Sequence, residues 1–228
     1  MLGLPLAPVL ALRPCPLPGP LYTVLMGYKE SPVDEARHRF GLMVGRFLAV
    51  LLLGHAPCLS AAAGGPVDLV LLVPSTARPG PSPLARVEGL AELVSHPAGL
   101  HASWRPSLLQ RTHHPVGHMK PHARAFEVPE TDRSTISGAR ALLLDDTYVS
   151  GARSQSAAAA LRVAGARSVL IAPLGRVLRP DRSPAHAAFL TRRRSGSGGG
   201  SRNLPVDEEP CGRCVVAQTQ TQAGAGSG

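Results

Sequence analysis

Apolar and polar positions along this chain fall into an alternating series of strands and helices. Val67 to Val73 is a nearly continuous apolar run, which predicts a strand covered on both faces, as central parallel strands are. Ala141 to Leu144 predicts a second buried strand, ended by Asp145-Asp146, and Ser168 to Ala172 a third, ended by Pro173. Between the last two, Ser150-Gly151-Ala152 supplies a small-residue turn. Arg153 to Ala164 has helix-forming composition, and Gly165 is placed to stop that helix. Strand, helix and strand in this order make a βαβ unit and imply a parallel sheet with a right-handed crossover.

Earlier in the chain, Leu21 to Leu25 predicts a short strand. Asp34 or Ser31 can cap a helix running through Glu35, Arg37, Phe40, Val44, Phe47 and Leu51. Its first half is polar on one side and its second half is apolar nearly all round, as in a helix buried against a sheet. Leu84 to Val94 predicts another helix with Glu88 and Glu92 outside, and Ala123 to Val128 alternates like a strand.

Composition sets the limits of this layout. A chain of 228 residues suits one α/β domain with tails. Its 23 Pro and 24 Gly gather in the termini and connections, so residues 1–20 read as an irregular Pro-rich start and 21–190 as the domain. Residues 191–228 read as an Arg/Gly/Ser-rich linker and a disordered tail. The formal charge is +9, but seven Arg and one Asp between Arg176 and Arg202 supply most of it. The basicity is thus a C-terminal feature; an Arg-rich tail of this kind attracts nucleic acid or acidic partners, or is simply solvated. Met1 to Leu25 is broken by prolines and lacks a basic start. Phe47 to Leu53 is too short for a bilayer, which needs about 20 apolar residues. The expectation is a cytoplasmic protein that does not enter a membrane.

The candidate chemistry lies in Arg140 to Gly165. Two adjacent acids directly before a Ser-Gly turn, with a helix N-terminus behind them, suit a phosphorylated sugar. Backbone N–H groups and the helix dipole attract the phosphate, and the carboxylates face ribose hydroxyls or a divalent cation. The segment resembles the phosphoribosyl-diphosphate (PRPP) loop of type I phosphoribosyltransferases, whose pattern is four apolar residues, two acids, two variable residues and Thr-Thr-Gly-x-Thr. Leu142 to Gly151 follows it, with Ser150 for the second Thr, while Val149 and Arg153 depart from it. The Tyr28-Lys29-Glu30 segment resembles the corresponding region of the ComF-like, competence-type branch.

The resemblance implies a Rossmann-like parallel-sheet core with a mobile hood or lid loop. It implies PRPP with Mg²⁺ as substrate, transfer of the phosphoribosyl group to an unidentified acceptor, and release of pyrophosphate. Asp145 and Asp146 would be the catalytic acids, binding ribose hydroxyls and orienting Mg²⁺ carried by PRPP. Thr147, Tyr148, Val149, Ser150, Gly151, Ala152, Arg153 and Ser154 would cradle the 5′-phosphate, and Ser75, Thr76 and Arg78, after the first core strand, would bind pyrophosphate. The lid would fall between His101 and His122, with Arg111 and Lys120 reaching pyrophosphate on closure. Val149 and Arg153 keep a second reading open, a non-catalytic PRPP- or nucleotide-binding regulator. Competence-type likeness and the basic tail keep a third, a nucleic-acid-associated protein. A homodimer is compatible with all three.

Two further motifs are weaker. His114, His118 and His122 have helical ligand spacing, but Pro115 and Pro121 forbid a regular helix there. Cys211 and Cys214 form half of a Zn²⁺ site, whose other half would have to come from Cys15 and Cys58 or a second chain. Free thiols or a redox pair are the alternatives.

Overall fold

The computed structural model describes residues 5–11, 13–75, 82–115, 120–195 and 215–217, with residues 192–195 and 215–217 described by backbone alone. The chain opens with β1 (Val9–Ala11) and β2 (Arg13–Pro16), then α1 (Pro20–Glu30), α2 (Asp34–Gly54) and α3 (Ala56–Ala63). β3 (Leu69–Leu72), α4 (Leu90–Ser95), β4 (Ser103–Trp104), β5 (Gln110–Arg111) and β6 (Phe126–Glu127) follow. α5 (Arg133–Ile136), β7 (Arg140–Tyr148), α6 (Ala152–Val163), β8 (Ser168–Leu178), α7 (Pro184–Ser195) and β9 (Val215–Ala217) complete it.

The strands form a mostly parallel sheet in the order β4-β3-β7-β8-β1-β9, with β2 also paired to β8 and only β9 antiparallel. β5 and β6 make a separate antiparallel pair. Side chains alternate across the sheet and build one core on each face. Val70, Leu72, Leu142, Leu144, Leu170 and Ala172 pack with Leu25, Val44, Leu48 and Leu59 of α1 to α3. Leu69, Leu71, Ala141, Leu143, Val169 and Ile171 pack with Ile136 and with Ala157, Ala158 and Leu161 of α6. The fold is therefore α/β with a helical layer on each side of a parallel sheet, as the apolar runs predict.

Several elements differ from the sequence expectation. Leu21 to Leu25, expected as a strand, lies inside α1, where Pro20 occupies the first turn, the position in which its missing N–H costs nothing. The Pro-rich start, expected to be irregular, supplies β1 and β2. Gln155 of α6 holds this start by donating from Nε2 to the Ala7 carbonyl at 2.9 Å and accepting the Ala7 N–H at 2.8 Å. β7 does not stop at the acids but runs through them to Tyr148, and β8 passes through Pro173 to Leu178. Ile171 donates its N–H to the Pro8 carbonyl. Two residues on, Pro173 turns its missing donor to the same side, where β1 ends at Ala11 and β2 starts at Arg13.

The helix expected over Leu84 to Val94 is split into a 3-10 turn, Pro83–Arg86, and α4, because Gly89 takes a left-handed φ of 72°. The strand expected over Ala123 to Val128 is only Phe126–Glu127. α2 is capped by neither Ser31 nor Asp34, since Asp34 is its first residue and Val33 precedes it. Its second half buries Leu48, Leu51 and Leu52 but exposes Phe47 and Val50, so it is not apolar-packed all round. No single helix among the described residues is long and apolar enough to cross a membrane; α2 and α3 reach that length and composition only together, with a 68° bend between them.

Candidate functional site

In an open parallel sheet, ligands bind outside the carboxyl ends of the strands where the strand order reverses. Here β4 lies on one side of β3 and β7, β8 and β1 on the other, so the reversal falls between β3 and β7. The carboxyl end of β7 carries Asp145 and Asp146, each 4% exposed. Beyond it, Gly151 precedes α6 with a left-handed φ of 78°. A Cβ at Gly151 would fall 2.0 Å from the Tyr148 hydroxyl, so glycine allows the tyrosine ring to fold over the turn. Gly165, with φ 96°, closes the far end of α6 as expected.

Strand alternation sends the two acids to opposite layers. Asp145 faces α6, where its Oδ2 accepts from Ser154 Oγ at 2.6 Å and its Oδ1 from Arg153 Nη2 at 2.9 Å and the Asp146 N–H at 3.0 Å. Asp146 faces α1, where its Oδ2 accepts from Tyr28 Oη at 2.7 Å and lies 2.6 Å from Lys29 Nζ. Its Oδ1 accepts from Thr147 Oγ1 at 2.9 Å, with Arg153 Nη2 at 3.8 Å. Two carboxylates and two cations thus form one partly buried quartet. Within it Arg153 Nε is buried with no hydrogen-bond partner among the described residues.

Burial and partners move the charges apart. Burial holds the Asp145 carboxyl above its ordinary range despite Arg153. Burial also penalises Asp146, but Lys29, helped by the Tyr28 hydrogen bond, outweighs it and holds that carboxyl low. The Tyr28 hydroxyl is pushed well up by its burial and by Asp146, so it remains a donor. Asp145 raises the Arg153 guanidinium above its normal value, against its burial.

The structure brings the residues of the Asp145–Ser154 segment together around one turn. Val149 is 65% exposed and Ser150 is exposed, whereas Ser154 is buried on Asp145. Arg153 points back to the acids. Ser75 is half-buried three residues past Leu72, whose register partner on β7 is Leu144, which sets it at the same end of the sheet. Thr76, Arg78, His118, Cys211 and Cys214 lie outside the described residues. So do residues 116–119 of the expected lid, whose returning limb is tied to α6 by the His122 N–H donating to Ser156 Oγ at 2.8 Å. Arg111 lies in β5, paired with Phe126, and Lys120 is exposed.

Tyr28 and Lys29 have no assigned role in the sequence reading. The only signal for them is the Tyr-Lys-Glu likeness, since Asp146 is more than a hundred positions away. As for metals, no group of three His, Cys, Asp or Glu side chains among the described residues could hold an ion. The rings of His114 and His122 stack at 5.2 Å. Burial pushes the Cys15 thiol up to about 11. The chain matches no protein-family model and no curated protein.

Proposed function

We propose that the protein binds PRPP with Mg²⁺ at the carboxyl ends of β3 and β7 and transfers the phosphoribosyl group to an acceptor, releasing pyrophosphate. One observation carries the reading: the paired acids stand at the reversal of strand order, with a glycine turn and a helix N-terminus directly behind them. Asp145 and Asp146 hold the ribose hydroxyls, the Thr147–Ser154 turn holds the 5′-phosphate, and the segment from Ser75 to Arg78 takes the pyrophosphate end. The hood or lid, between His101 and His122, keeps water from the cationic sugar carbon.

Two adjacent carboxylates are too few for a resident metal cage, but they are enough to orient a cation held mainly by the ligand's own oxygens. Asp145 and Asp146 are the residues that would do so, and Mg²⁺, when bound, supplies positive charge against the leaving pyrophosphate. Pyrophosphate release from PRPP with a panel of purine, pyrimidine and amine acceptors tests the reaction. Release that requires an acceptor supports it, and none with any acceptor contradicts it.

The quartet favours a second reading. Lys29 and Arg153 pair directly with the acids, which suits a protein that binds PRPP or a nucleotide without turning it over. Saturable PRPP binding without pyrophosphate release is its signature.

A further inference from the structure

We infer that Lys29 and Arg153 are exchangeable phosphate-binding cations. Lys29 rests on Asp146 and Arg153 chiefly on Asp145, and each moves to a phosphate when a sugar bearing phosphates at both ends enters, freeing the acids for the sugar's hydroxyls. The identity of the sugar rests on the phosphoribosyl reading; the exchange does not.

Four observations lead there. The first is charge. A ligand with several negative charges entering the intact quartet would face two carboxylates whose cations are already engaged, and turning the cations outward removes that conflict. The second is position. The cations form the outer rim, with Lys29 16% and Arg153 30% exposed, while the acid side chains beneath are 5% and 4% exposed, so an approaching anion meets the cations first.

The third is an unused donor. Arg153 binds its acids through Nη2 alone and keeps Nε buried without a partner among the described residues. A phosphate can engage the guanidinium fork in a bidentate manner that uses such a donor. The fourth is what the acids retain. Without Arg153, Asp145 keeps Ser154 Oγ and the Asp146 N–H; without Lys29, Asp146 keeps Tyr28 Oη and Thr147 Oγ1. Each carboxylate therefore stays anchored and gains room for a hydroxyl donor.

The geometry also sets the ligand class. Lys29 comes from the α1 layer and Arg153 from the α6 layer, on opposite faces of β7. Two phosphate groups flanking one sugar release both acids, whereas a single phosphate releases one.

The experiment is calorimetric titration of the full chain with inorganic pyrophosphate and with ribose 5-phosphate, each alone. Exchange predicts an unusual sign. Asp146→Asn, which frees Lys29 yet preserves the shape of the acid, binds pyrophosphate about fivefold tighter than the native chain, since the cation no longer has to leave a carboxylate. Lys29→Met in that background loses roughly tenfold relative to Asp146→Asn, and, with no acid left unpaired, this double variant retains the fold. Asp145→Asn and Asp145→Asn/Arg153→Met do the same for ribose 5-phosphate. Asn variants that bind their probes no tighter than the native chain overturn the exchange. Tighter binding by these variants, with native PRPP affinity no better than that for pyrophosphate, keeps the exchange and removes the phosphoribosyl reading. Absence of binding by every form of the protein overturns both.

Discussion

Asp145 and Asp146 are consecutive residues of one strand, yet the two layers around the sheet treat them differently. On the α6 side, Asp145 is held by Arg153 and Ser154, eight and nine positions along the chain, and by the next backbone N–H. On the α1 side, Asp146 is held by Tyr28 and Lys29, 118 positions distant in the case of Tyr28. The first environment is built within a single βα turn. The second exists only when α1 has docked on the sheet. Their charges differ accordingly: burial dominates at Asp145 and raises its carboxyl, whereas Lys29 dominates at Asp146 and lowers it. Adjacent acids thereby become one carboxyl held above its ordinary range and one held below it, which is how a pair can divide binding roles.

The contrast can be broken most strongly at the distant cation. Lys29→Met strands an ionised, buried Asp146 and should cost about 3–5 kcal/mol in urea unfolding. Arg153→Met should cost less, roughly 1–2 kcal/mol, because Arg153 is more exposed than Lys29 and burial already disfavours the ionised form of Asp145, so less charge stabilisation is lost there. Equal losses would mean that the two layers contribute alike. Gly151→Ala comes next. It forces a side chain into a left-handed turn against the Tyr148 hydroxyl and should lower stability by about 1–3 kcal/mol in the same assay. Wild-type stability for that variant would show that the local half of the site is not held by the glycine.

Smaller but more diagnostic is the pH dependence. A carboxyl held low in the folded state contributes stability above its unfolded value, near pH 4, that disappears as pH falls through the folded value. A carboxyl held high does the reverse: the folded form binds its proton first, so stability contributed by this group rises as pH falls through the folded value. Urea unfolding between pH 3 and 8 should show that Asp146→Asn weakens the acid-side loss and Asp145→Asn removes the opposing gain. Slopes of the same sign for both variants would contradict the assignment.

What could be read directly from residue order follows the same division. The apolar run into β7, the small-residue turn, the alanine-rich α6 and the stop at Gly165 are all encoded within about 25 residues, and the periodicity and turn chemistry there sufficed. Leu21 to Leu25 could not be placed from its own composition, because a five-residue apolar run fits a strand or a helix until Pro20 and the packing of Leu25 under α2 decide it. β1 and β2 gain their strand character from β8 and from the Gln155 clamp on Ala7, both far along the chain. The same distance hid Tyr28 and Lys29. The polarity of the acids predicts that β7 ends at them, but satisfied partners on both faces let the strand carry them inside.

The most direct test of the central claim, a phosphoribosyl pocket built on the acid pair, is calorimetric titration of PRPP with Mg²⁺ beside pyrophosphate with Mg²⁺. The native chain should bind PRPP saturably and at least about tenfold tighter than pyrophosphate, the margin of one or two charge-assisted hydrogen bonds to ribose. In Asp145→Asn/Asp146→Asn that preference should collapse even though the freed cations still bind phosphate. A native protein that binds PRPP no better than pyrophosphate, or a preference that survives the double substitution, would contradict it.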